Sequence, residues 1–217
     1  VELKPEVGEY WYFLGYAQIN LADKIRKDGA LEEALKHYAG AQQSLEKAVE
    51  LDEYYAEAWL RLARIYVLQG ELSKAIDAYM NCIQSDPSLR TEPKGTAVAY
   101  LELASIYSEY AFLDESAQVL TNGIANNMED IRLESELGNV YQEMKRHVEA
   151  IQHFERAYLI REETKAPIDL VLPALFGLGI SYAALADEAM KKKNLGDGLK
   201  NTQSAMHWLE LFIANAT

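Results

Sequence analysis

Between residues 56 and 89, large and small apolar residues recur at steps of three and four. Trp59, Leu62, Ala63 and Tyr66 form one run, and Ala75, Tyr79 and Cys82 form the next. Such steps return to the same face of an α-helix, so each run predicts an amphipathic helix buried along one stripe. Gly70 separates the runs and Pro87 follows the second, the residue types that end helices. The small side chains at Ala63, Ala75 and Cys82 let two helices approach closely. The large ones at Trp59, Tyr66 and Tyr79 fill the space toward neighbouring pairs. The segment therefore predicts a helical hairpin.

The pattern recurs along the chain. Residues 131–164 carry Leu137, Gly138, Tyr141, Ala150, Phe154 and Ala157 at matching positions, with Glu134 where the first hairpin has Trp and Glu162 where it has Pro. Residues 97–130 carry Tyr100, Leu103, Ala104, Tyr107, Leu113 and Leu120, with Ser116 and Gly123 replacing two alanines. In residue types and spacing these segments resemble the tetratricopeptide repeat (TPR), a 34-residue helix–turn–helix unit. The resemblance implies an all-α fold: a right-handed α-solenoid of stacked antiparallel helix pairs, each burying one face against the next. It also implies a protein–protein interaction scaffold that receives a partner peptide or helix along the concave surface formed by the first helices.

Two hairpins depart from this length. Trp11, Leu14 and Gly15 open a unit that closes with Ala41, Leu45 and Ala48, leaving room for seven extra residues on each side of the turn near Gly29. Seven residues are about two helical turns, roughly 10 Å of rise, and they keep the apolar stripe in phase. The last unit aligns with the first without a gap: Leu14-Gly15 with Leu178-Gly179, Leu21-Ala22-Asp23 with Leu185-Ala186-Asp187, and Ala41 with Ala205. The expected organisation is a single domain over 1–217. Its units are 8–55 (long), 56–89, 97–130, 131–164 and 172–217 (long), and 1–7 is the tail of an upstream repeat that ends at Pro5. The spacers 90–96 and 165–171 contain Pro93 and Pro167, which favour a loop that turns helical shortly afterward.

Composition narrows the chemistry. Among 217 residues, 34 Asp and Glu outnumber 21 Lys and Arg, for a formal charge of −13. That sign opposes phosphate backbones, so nucleic acid is not expected as a partner, whereas a neutral or basic protein or peptide is. The single cysteine, Cys82, cannot form an internal disulfide and falls in a small core slot. Residues 170–186 run 17 in a row without a formal charge, at the bottom of the length range for a membrane span. They also fit the repeat as a buried helix with Pro173 near its start. No membrane span is therefore expected. The sequence opens on Val, as a processed chain or an excised piece would, and its address label is not legible; a soluble, cytoplasmic setting is the working expectation.

Helical geometry places a second row beside each core stripe, facing the concave surface. In the first unit this row is Tyr12, Tyr16 and Asn20; in the second, Glu57, Leu60 and Arg64. The third offers Leu101, Ser105 and Ser108, and the fourth Arg132, Ser135, Asn139 and Gln142. The fifth offers Phe176 and Ile180. The nearly uncharged run Ser135, Asn139 and Gln142 suits hydrogen bonding to an extended backbone. Tyr12 and Tyr16 stand where the carboxylate-binding clamp of some TPR proteins carries Lys and Asn, so that clamp is not expected.

Catalytic signatures are weak throughout. His37, His147, His153 and His207 include no HxxxH pair, and Gly177 and Gly179 form a lone GxG inside a helix rather than after a strand. Neither a phosphate loop nor a nucleophile elbow is present. Catalytic residues, metal and cofactor are thus expected to be none. Basic residues gather at the two long tips (Lys24, Arg26, Lys27 and Lys191, Lys192, Lys193), where helix C-termini favour cations. Two other roles are compatible with the array: the substrate-recognition arm of a larger enzyme, such as a glycosyltransferase, or a self-associating spacer.

Overall fold

The computed structural model describes residues 7–86, 97–126 and 130–216. Among them are ten α-helices and one 3-10 turn, with no strand. The helices are α1 (Gly8–Lys27), α2 (Leu31–Leu51), α3 (Ala56–Gln69), α4 (Leu72–Ser85), α5 (Val98–Glu109), α6 (Leu113–Asn126), α7 (Ile131–Glu143), α8 (His147–Thr164), α9 (Leu172–Lys191) and α10 (Leu195–Asn215). Consecutive helices pair as hairpins. The all-α architecture read from the repeat is the one observed. The outer hairpins are the long ones, with 20 and 21 residues per helix against 14 and 14 in α3 and α4. The chain divides into two compact units, Val1–Gly95 and Thr96–Thr217. The upstream tail before Val7, the spacer 90–96, Pro87 and Pro93 lie outside the described residues.

All five hairpin turns use the same device. One residue adopts the left-handed region: Gly29, Gly70, Ala111, Lys145 or Lys193, with φ between 56° and 87° over all such residues. In the α3–α4 turn, Gly70 N–H donates to Val67 O at 3.0 Å and Glu71 N–H to Tyr66 O at 2.9 Å. The other four repeat this pair of bonds, which satisfies the last carbonyls of the first helix. Only two of the five positions are glycine, so three turns carry a side chain where L-residues are disfavoured. The spacer 165–171 leaves α8 through Lys165, also left-handed, and forms a 3-10 turn at Ile168–Leu170 with Pro167 at its start.

Within the first unit, α1 lies close on α2 because Gly15 has no Cβ; one built there would sit 2.8 Å from Leu45 Cγ. Ala41, Leu45 and Ala48 of α2 are fully buried, as are Ala75 and Cys82 of α4. Tyr66 Oη donates to Glu46 at 2.9 Å and Gln69 Nε2 to Gln42 Oε1 at 2.8 Å, fixing α3 against α2.

The second unit is built around Phe154 of α8, whose ring is fully buried between two glycines. A Cβ on Gly138 of α7 would lie 2.5 Å from the ring, and one on Gly177 of α9 would lie 2.4 Å from it. Gly179 receives Leu209 of α10 in the same way, repeating the Gly15–Leu45 contact of the first hairpin. The GxG of α9 is therefore a packing feature. No helix among the described residues is long and apolar enough to cross a membrane. The apolar stretch 170–186 is spent on the core instead, through Val171, Ala174, Leu175 and Leu178.

Two outcomes follow from this packing. Gly177→Ala adds a methyl group with no space beside Phe154, and is expected to lower unfolding free energy by about 1–3 kcal/mol. Combining it with Phe154→Leu should recover part of that loss, and non-additivity in urea melts of the two single variants and the double variant measures the contact. Ala111→Gly relieves the left-handed strain of the α5–α6 turn. A gain of about 1 kcal/mol is expected, read as a raised midpoint in the same melts.

Candidate functional site

The first unit brings part of the expected groove row together. Tyr12, Tyr16 and Asn20 are four residues apart on α1 and share one face, opposite Arg61 and Arg64 of α3. Tyr12 and Tyr16 stack with centroids 6.3 Å apart, and Tyr12 also packs against Tyr55 at 4.8 Å. Arg61 Nε donates to Tyr12 Oη at 3.1 Å, while its guanidinium lies 4.4 Å from the Tyr16 ring centroid. Farther along, a cleft of about 210 Å³ runs between α1 and α3, lined by Asn20, Asp23, Tyr38, Arg61, Arg64 and Leu68 among others.

The electrostatics of this wall are local. Asp23 accepts from the Tyr38 hydroxyl and lies 3.6 Å from Arg26. Burial, reinforced by that carboxylate, pushes the Tyr38 phenol above its ordinary value. Burial likewise raises Tyr55, helped by Tyr12 and by the negative charge of Glu57. These two phenols thus remain protonated at neutral pH. Glu57 and Arg64 are half-buried, Asn20 is exposed and Tyr16 retains 38 % of its surface.

Leu60, expected on the concave face, is instead fully buried. It lies one turn from Ala56 and Ala63, both buried, on the inward side of α3. Sequence spacing also passed over Arg61, Tyr55 and Leu68. Arg61 was legible as the neighbour of Glu57 and Arg64 on one helix face. Tyr55 precedes α3, and no periodicity points to it.

In the second unit the expected row is largely engaged within the protein. Gln142 Nε2 donates to Gly177 O at 2.9 Å and to Ser181 Oγ at 2.7 Å, tying α7 to α9. Ser135 is buried, and its hydroxyl donates to Ile131 O of its own helix. Asn139 donates to Glu136, Arg132 pairs with Asp130, and Ser108 shares a hydrogen bond with Ser116. Leu101 is half-buried; Ser105, Phe176 and Ile180 remain exposed.

Other chemistry-bearing residues are tied into helix packing. His153 Nδ1 lies 2.8 Å from Glu134 Oε2, and its ring stacks on Tyr141 at 5.4 Å. Glu134, in the position where the 56–89 hairpin carries Trp, is thus buried with a partner. Lys191 pairs with Asp187 at 2.6 Å and Lys192 with Glu188, so the basic tip of the last hairpin is partly neutralised. Among the described residues no group of three or more His, Cys, Asp or Glu is arranged to hold a metal ion.

Comparison with known proteins agrees with this architecture. Tetratricopeptide-repeat family models match residues 26–87 and 129–190, together more than half of the chain. The chain is 24 % identical over 160 residues to the anaphase-promoting complex subunit CDC16 of Saccharomyces cerevisiae, covering 74 % of this chain and 18 % of that protein. It is 28 % identical over 190 residues to the transcriptional activator NprA of Geobacillus stearothermophilus, covering 82 % of this chain and 43 % of that one. The chain therefore spans less than half the length of either relative. Among solved structures it resembles MamA (TM-score 0.56, 22 % identity, 89 % of this chain and 96 % of that one). It also resembles YrrB, described as a TPR protein with an unusual peptide-binding site (TM-score 0.51, 19 % identity, 92 % and 89 %). At these identities the likeness speaks for the fold. The recurring hairpins, their glycine-for-bulk packing and the two matched segments agree, and the chain belongs to the tetratricopeptide repeat family.

Proposed function

We propose that this chain is a non-catalytic interaction scaffold that receives a partner peptide or helix along its first helices. The observation that supports the reading is the aromatic row of Tyr12 and Tyr16 packed by Arg61, continuing into a cleft of about 210 Å³ lined by Asn20 and Arg64. Aromatic faces supply contact area at low entropic cost, and amide and guanidinium groups supply directional hydrogen bonds. YrrB's described peptide-binding site and CDC16's membership of a multiprotein complex support the same reading. The net charge of −13 favours a neutral or basic partner and speeds its approach at low salt. The proposed surface in the second unit centres on Ser105, Phe176 and Ile180, the members of the expected row that remain exposed. Treating 1–217 as one interaction domain rests on the recurrence of the repeat on both sides of the spacers 90–96 and 165–171.

A displayed library of random peptides, selected on the chain, tests this directly. Selected peptides should bind the Tyr16→Ala/Asn20→Ala variant about tenfold more weakly, the scale of one aromatic contact with its hydrogen bond. Unchanged affinity would place binding elsewhere.

A second reading, self-association, is favoured by α10. Leu195, Leu199, Met206 and Ile213 lie along one face of that helix and are each more than half exposed. Light scattering over a concentration series should show a mass above the 24.5 kDa of one chain, reverting to it in Leu199→Lys/Ile213→Lys. A constant monomer mass rejects this route.

A further inference from the structure

Within each unit, the second helix of a hairpin packs on the first helix of the next: α2 on α3, α6 on α7 and α8 on α9. In the gapless alignment of the first and last hairpins, the faces making two of these contacts have exposed counterparts. Gln42 and Glu46 of α2 accept hydrogen bonds from Gln69 and Tyr66 of α3, and Val49 beside them is buried. Their counterparts on α10 are Met206, Glu210 and Ile213, all exposed. On α9, Gly177 meets the ring of Phe154 of α8, and Ala174, Leu178 and Ser181 around it are fully buried. Their counterparts on α1 are Phe13, Tyr10, Leu14 and Ala17. With Leu21 these form an exposed stripe at steps of three and four.

A helix that ends a repeat array in water carries a polar outer face. α10 does not: it has Met206 where α2 has Gln42, and Leu195 and Leu199, each more than half exposed, extend the row. An apolar row at a second helix's stacking positions calls for a first helix as its cover. Length selects which one. Leu209 occupies on α10 the repeat position that Phe154 holds on α8, and Phe13 the position of Gly177. With those two opposed and the helices antiparallel, Leu199 falls past Leu21, the position at which the shorter α3 has already ended. A cover for Leu195 and Leu199 must therefore be a long helix. Of the two 20-residue first helices, α9 is already packed by α8, whereas the stripe on α1 is open. We infer that α10 of one copy takes α1 of a second copy, continuing between chains the stacking that α8 and α9 make within one. The inference rests on the self-association reading above and names the surface that α10 meets. Because the two faces differ, each added copy leaves one of each open, and assembly runs head-to-tail.

Light scattering of the 217-residue chain over a concentration series, in about 0.15 M salt to screen the −13 charge of each copy, is the test. The native chain should pass twice the 24.5 kDa of one copy as concentration rises. Two blocked forms separate the faces: Phe13→Lys/Leu21→Lys on α1 and Leu199→Lys/Ile213→Lys on α10, all at exposed positions. Each alone should stay monomeric, with far-ultraviolet circular dichroism unchanged. Mixed in equal amounts, they should pair at twice the mass of one copy and stop there, because each supplies the face that the other lacks. The milder Phe13→Ala/Leu21→Ala should weaken assembly about tenfold, which keeps the test decisive if the lysine pair misfolds. Assembly that is unaffected by the α1 variants would overturn the inference while leaving self-association through α10 intact. Folded blocked forms that stay monomeric on mixing would overturn it as well. A native chain that remains a monomer throughout would remove both.

Discussion

Two helical backbones approach closely only where one of them lacks a side chain and the other fills the gap. In this protein that exchange is made at Gly15 with Leu45, at Gly179 with Leu209, and at Gly138 and Gly177 with the two faces of Phe154. Phe154 is the most consequential case, because one buried ring sets the spacing of three helices, α7, α8 and α9. Full burial of such a side chain is worth roughly 1.5–3 kcal/mol, and close packing means that a single added methyl on either glycine is felt. A repeat protein is stabilised by contacts between neighbours, so this local fit has a consequence beyond its own hairpin.

The candidate site inherits its geometry from the same rule. α1 is held on α2 by the Gly15 contact, and α3 is held on α2 by the hydrogen bonds from Tyr66 and Gln69. The cleft between α1 and α3 therefore has two walls fixed by a third helix, although few residues of those walls touch each other. The elongation of α1 matters here. It adds turns beyond Leu21 that carry Asp23, so the cleft continues past the point where a helix of the length of α3 would end.

The second unit uses similar residue types for a different purpose. Gln142 reaches across to the carbonyl of Gly177 and the hydroxyl of Ser181, a position it can take because the glycine–Phe154 contact has drawn α7 and α9 together. A buried polar group without a partner is costly, so once Ser181 is enclosed its hydroxyl needs such a neighbour. The buried Glu134–His153 pair follows the same logic in a slot that usually takes an aromatic ring. These side chains have the composition of a binding surface and the surroundings of a core.

Periodicity along the chain was sufficient to determine the helix pairs, their order and the extra length of the first and last ones, because steps of three and four residues report directly which face of a helix is buried. It also placed Cys82, Phe154 and the small residues of the core correctly. The turns were less legible: Gly29 and Gly70 announce themselves, whereas Ala111, Lys145 and Lys193 adopt the same left-handed conformation with no compositional sign. Which polar residues face solvent could be decided only by tertiary structure. Leu60 and Ser135 are buried while Arg61 and Glu136, one residue on, are half-buried, and a rotation of that size is decided by how the next helix sits. The pairing of Gln142 with α9 and of Arg61 with Tyr12 depends on contacts 35 and 49 residues away in sequence, a distance at which a one-dimensional pattern carries no geometric information.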